Sequence, residues 1–122
     1  MDKKNILIID DDQQILELLK LFADANDCNA VTEESAEKGL AMIRKKEFDM
    51  ILLDIMLSDG NGLSVLKNIK RISPQVPVIM ITGGNDIHIA EECLKCGAAD
   101  YITKPFDFEY LRTAILVNIL GF

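Results

Sequence analysis

Five times along the chain, a short unbroken apolar run gives way to a longer stretch with apolar residues three and four apart. That alternation constrains the fold more than any other feature of the sequence. Strands apolar at every position must be covered on both faces, and strand–helix–strand crossovers supply the cover. The spacing predicts strands over 5–9, 28–32, 50–53, 76–81 and 99–103. Between and after them it predicts helices with inward faces made by Ile15, Leu18, Leu19 and Phe22; by Ala36, Leu40 and Ile43; by Leu63, Leu66 and Ile69; by Ala90, Cys93 and Leu94; and by Phe108, Leu111 and Ile115. Asp12 is placed to cap the first helix, Pro74 stops the third, and Gly97 suits the residue just past the fourth. Right-handed crossovers then give an open, doubly wound α/β fold: a five-stranded parallel sheet with five helices.

At 122 residues with no repeats or linker-like tracts, the expectation is one domain over 1–122. No apolar run approaches the length of a membrane span, and Met1-Asp2-Lys3-Lys4 leads straight into a strand, which reads as a cytoplasmic protein without a signal peptide. The net charge of −7 repels phosphate backbones, so direct nucleic-acid binding by this domain is not expected. Cys93 and Cys96 form a C-x-x-C, but with no second ligand pair and helical spacing they read, with Cys28, as small core thiols.

Sites in open α/β sheets form beyond the carboxyl ends of the strands. Here those ends carry Asp10-Asp11-Asp12, Asp54, Thr82 and Lys104. Each has an ordinary reading alone, as a helix cap, a strand-end hydroxyl or a solvated cation; four on one edge are harder to ascribe to chance. Clustered carboxylates repel one another unless a cation sits among them. Magnesium suits all-oxygen ligation shared with phosphate and water. One carboxylate could then act as a nucleophile toward phosphorus, with Thr82 and Lys104 meeting the phosphoryl oxygens and Gly83-Gly84 keeping the approach open.

With ILIIDDD, the ILLD run ending at Asp54, Asn61-Gly62, ITGG at Thr82 and DYITKPF around Lys104, the sequence resembles the response-regulator receiver domains of bacterial two-component systems over essentially its whole length. The resemblance implies a chemotaxis-regulator-like, flavodoxin-like sheet of strand order 2-1-3-4-5. It implies Asp54 as phosphoacceptor, with Thr82 and Lys104 as its catalytic partners. Magnesium would be held by Asp10, Asp11, Asp54 and the carbonyl of Met56. Thr82 and Tyr101 would form the switch, the Lys104–Pro105 peptide would be cis, and the phosphoryl donor would be a histidine kinase or phosphotransfer protein. The expected output is a changed surface on helix four, strand five and helix five, and the domain would catalyse only its own phosphorylation and dephosphorylation.

The chain departs from the family pattern at Ser58, where relatives usually carry proline; a more mobile loop is expected there. Met56 and Gly84 flank the acceptor without a group able to orient water, which predicts a slowly lost phosphoryl group. His88, the only histidine, reads as a solvated surface residue. Leu116, Val117, Ile119, Leu120 and Phe122 exceed what one helix face needs, leaving a homodimer surface or a following effector domain as the two readings. A rival function is a haloacid-dehalogenase-like phosphatase using Asp10, though 122 residues leave no room for a substrate cap. A flavodoxin would share the fold, but the acids after strand one would repel a flavin phosphate.

Overall fold

A computed structural model describes residues 3–120 of the chain. Seven strands and five helices follow in order: β1 (Lys4–Ile9), α1 (Gln13–Ala25), β2 (Cys28–Glu33), α2 (Ala36–Lys45), β3 (Met50–Asp54), β4 (Met56–Leu57), β5 (Gly60–Asn61), α3 (Gly62–Ile72), β6 (Val78–Thr82), α4 (Ile87–Lys95), β7 (Asp100–Thr103) and α5 (Phe108–Leu120). Five strands make one parallel sheet in the order β2-β1-β3-β6-β7. With the short β4–β5 hairpin set aside, that is the expected 2-1-3-4-5 order.

The sheet divides the core in two, as the period of two along each strand requires. Leu7, Ile9, Ile51, Leu53, Val78 and Met80 face α2, α3 and α4; Ile6, Ile8, Leu52, Ile79 and Ile81 face α1 and α5. Every residue of β3 and β6 is buried, which explains why their sequences read as unbroken apolar runs. Among the described residues no helix is long and apolar enough to cross a membrane. The expected start at Met1-Asp2 and the side chains of Leu120 and Phe122 lie outside the described residues.

Three inward faces differ from expectation. In α1 the buried set is Leu16, Leu19 and Ala23, with Ile15 and Phe22 at its margin, while Leu18 is 41% exposed. Leucines and isoleucine crowd this helix, and small Ala23 marks the true centre of the stripe. In α4, Leu94 is exposed and only Ala90 and Cys93 are buried. In α5, Leu111, Ala114 and Ile115 face inward, whereas Phe108 lies half over α1 with its ring 5.2 Å from that of Phe22. Boundaries shift by a residue or two, most at β6, which starts at Val78 beyond Pro77. Asp12 caps α1 through a 2.9 Å bond from the Gln14 N–H, and Gly97 follows α4 with φ +108°, open to glycine far more than to other residues. The three cysteines are free; Cys28 and Cys93 are buried, Cys96 partly so, and burial pushes the Cys93 thiol up to about 11. His88 is exposed on α4.

Candidate functional site

The carboxyl ends of β1, β3, β6 and β7 meet at one edge, and the register says why. Ile9 pairs with Leu53, Asp54 with Ile81 and Thr82 with Thr103. Each functional residue is therefore the last of its strand or the one just beyond it. The backbone continues that order, with the Lys104 N–H donating to the Thr82 carbonyl at 2.8 Å. The Lys104–Pro105 peptide is cis, as expected.

Three carboxylates converge here. Asp10, Asp11 and Asp54 each bring an oxygen to within 4.8 Å of the others. Asp10 is fully buried and Asp54 nearly so, while Asp11 is open to solvent. Buried carboxylates need compensation, and the chain supplies only part of it. Asp10 Oδ1 accepts the Asp12 N–H at 2.9 Å, and Asp54 Oδ1 accepts the Met56 N–H at 3.2 Å. Lys104 Nζ lies 3.2 Å from Asp10 Oδ2 and 3.7 Å from Asp54 Oδ2. The nearer approach is an ion pair without hydrogen-bond geometry, so Asp10 Oδ2 is buried and accepts no hydrogen bond. Burial, then the Asp10 charge, push the Asp54 carboxyl up to about 7 against the pull of Lys104. A hard cation among these oxygens would satisfy the orphaned atom and relieve the repulsion, so the donor set fits one.

Thr82 is fully buried, and its Oγ1 accepts the Gly84 N–H at 3.3 Å. Tyr101 lies opposite Met80 in the β6–β7 register, and both belong to the face covered by α2, α3 and α4. Thr82, two residues beyond Met80, shares that face. Thus Asp10, Asp11, Asp54, Thr82 and Lys104 come together, Tyr101 sits half-buried two pairs back along the β6–β7 ladder, and Met56 lies two residues past Asp54 and is 53% exposed.

A family model described as the response regulator receiver domain matches residues 6–116. The chain belongs to that family. Among curated relatives, this receiver domain is 34% identical over 113 residues to the transcriptional regulatory protein ZraR of Salmonella typhimurium, covering 93% of this chain but 26% of that protein. It is 33% identical over 115 residues to the transcriptional regulatory protein YkoG of Bacillus subtilis, covering 94% of this chain and 50% of the other. The chain therefore spans between a quarter and a half of these relatives' length. Among solved structures, a CheY-like response regulator receiver domain protein from Methanospirillum hungatei superposes with a TM-score of 0.93 at 31% identity, covering 98% and 96% of the two chains. A receiver domain protein from Clostridium thermocellum gives 0.92 at 30%, covering 97% and 95%. This receiver domain is thus a signalling domain of the two-component type, and the comparisons lend the phosphatase reading no support.

The loop after Asp54 differs most from its sequence reading. In place of a loose segment, residues 56–61 form a two-residue antiparallel ladder with Met56 opposite Asn61 and Leu57 opposite Gly60. Leu57 is buried, the Ser58 N–H donates to Asp11 Oδ2 at 3.1 Å, and Asp59 accepts from the Ala36 and Glu37 N–H groups. Side-chain anchors replace the stiffness that proline would give. The turn is Leu57-Ser58-Asp59-Gly60, and the available signal was Gly60, a residue favoured at the last position of a β-turn.

Proposed function

We propose that residues 1–122 act as one phosphoacceptor domain and that Asp54 is the residue phosphorylated. The observation that carries this reading is the convergence of Asp54 with Asp10, Asp11, Thr82 and Lys104 at the strand ends, where a buried carboxylate oxygen on Asp10 lacks a hydrogen bond.

Asp10, Asp11, Asp54 and the Met56 backbone would hold magnesium, which would offset the acids' charge and the charge of an incoming phosphoryl group. The rest of the chemistry falls to the chain. The Asp54 carboxylate attacks phosphorus, forming a new P–O bond as the P–N bond to the donor histidine of a kinase or phosphotransfer protein, or the P–O bond to acetate, breaks. Lys104 meets one phosphoryl oxygen with its ammonium, and the Thr82 hydroxyl turns from its Gly84 contact to donate to another. With Thr82 drawn toward the acceptor, Tyr101 on the same face gains room to move inward, altering the surface of α4, β7 and α5. Met56 and Gly84 offer no side chain that orients water, so hydrolysis is left slow.

On α5, Leu116 and Val117 are 39% and 44% exposed, while Ile119 packs against the core. Those two residues support the reading of α5 as a contact surface, for a second copy or for an effector in a longer transcriptional regulator resembling ZraR. Light scattering with and without a phosphate mimic separates the two: a strict monomer in both states counts against the dimer.

Incubation with acetyl phosphate and Mg2+, read on a phosphate-affinity gel, tests the main reading. Uptake that requires Mg2+, ceases in EDTA and is absent from Asp54→Asn supports it. Uptake undiminished in the variant would remove Asp54 from the role.

A further inference from the structure

We propose that Asp59 is a positioning residue for the metal-binding acids, acting by clamping the β4–β5 turn onto the N-terminus of α2. The inference rests on the reading of Asp10, Asp11 and Asp54 as a magnesium site and adds a residue outside that set.

The first turn of α2 presents three N–H groups that no helical carbonyl can meet. Ser35 Oγ takes the Lys38 N–H at 3.2 Å. The other two are met from 22 and 23 residues away: Asp59 Oδ1 accepts from Ala36 at 2.9 Å and Oδ2 from Glu37 at 3.1 Å. Ser35 would suffice as an ordinary local cap; a two-pronged carboxylate from another segment does something a local cap cannot. It fixes the turn relative to the helix. Gly60, the next residue, lies against the same end of α2, its Cβ direction pointing at the Ala36 methyl from 3.7 Å.

The turn so fixed carries two groups that belong to the acidic site. Ser58, adjacent to Asp59, donates its N–H to Asp11 Oδ2 at 3.1 Å. A proline there would have no such donor. Met56, at the other end of the turn, donates its N–H to Asp54 Oδ1 at 3.2 Å. One short ladder thus holds Asp11 and Asp54, and Asp59 fastens that ladder to α2. The two amide bonds also hold the Asp59 carboxyl below the usual carboxylate range, so the clamp stays charged at neutral pH.

Calorimetric titration of the metal-free protein with Mg2+ tests this, using Asp59→Ala, Asp59→Asn and Ser35→Ala well below their melting temperatures. Ser35→Ala is the control for helix capping alone, since it loosens the same helix end without touching the turn. The clamp predicts Mg2+ binding weakened on the order of tenfold in Asp59→Ala. It predicts a smaller loss in Asp59→Asn, which keeps one acceptor, and unchanged binding in Ser35→Ala. Equal weakening in Ser35→Ala and Asp59→Ala would reduce Asp59 to a cap, and unchanged affinity in Asp59→Ala would also overturn the inference. If the unaltered protein binds no Mg2+ while remaining folded, the underlying metal-site reading fails, and the inference falls with it.

Discussion

Replacing Asp54 with asparagine should make the metal-free protein more stable, and by an amount that depends on pH in a defined way. In the fold, burial and the Asp10 charge raise the Asp54 carboxyl from 3.8 to about 7. Unfolded, it loses its proton near the ordinary value. Between about pH 4 and pH 7 the folded state therefore binds more protons than the unfolded one, so stability falls as pH rises through that window. At about 1.4 kcal/mol per pH unit, the full interval is worth about 4 kcal/mol. Solvent screening at the site's open side lowers the net effect, and about 2–4 kcal/mol is expected, a large part of a typical 5–15 kcal/mol total. Asparagine keeps an acceptor for the Met56 N–H and carries no charge, so it removes the penalty at small steric cost. Urea unfolding in EDTA reads the difference. At pH 8 the Asp54→Asn midpoint should lie about 1–2 M higher, for a slope of about 2 kcal/mol per M. At pH 4 the two curves should coincide. Curves separated equally at both pH values, or a variant less stable at pH 8, would refute the electrostatic account of this site.

Three other outcomes follow from the geometry. Gly62→Ala would place a Cβ 2.6 Å from Ile55 Cα and 2.9 Å from the Asp54 carbonyl oxygen, so the backbone beside the acceptor must shift; chemical denaturation should show a loss of about 1–3 kcal/mol. Lys104→Ala removes the cation nearest both Asp10 and Asp54, and labelling by acetyl phosphate should slow on the order of a hundredfold at fixed Mg2+. Phosphorylated protein, freed of donor and timed by loss of label, should decay over minutes or longer because Met56 and Gly84 cannot orient water; a lifetime of seconds would contradict that assignment.

The sheet was legible because β1, β3 and β6 are buried on both faces and so leave unbroken apolar runs in the sequence. The site was legible for a related reason: a parallel sheet brings strand ends to one edge, and Asp10, Asp54, Thr82 and Lys104 all sit at such ends. What the pattern hid depends on contacts distant in sequence. Leu18 and Leu94 look interchangeable with their buried neighbours until helix rotation is set by small residues such as Ala23 and Ala90. The turn at Ser58-Asp59 looked loose because its anchors, Asp11 and the first amides of α2, lie 22 to 47 residues away. Local propensity registers the missing proline but not the hydrogen bonds that replace it.

The central claim, that Asp54 takes the phosphoryl group, is tested most directly by locating the label. Protein treated with acetyl phosphate and Mg2+, reduced with borohydride to convert an acyl phosphate to an alcohol, and digested for tandem mass spectrometry will report the modified residue. Reduction confined to Asp54 is the predicted result. Modification at Asp10, with Asp54 intact, would contradict it.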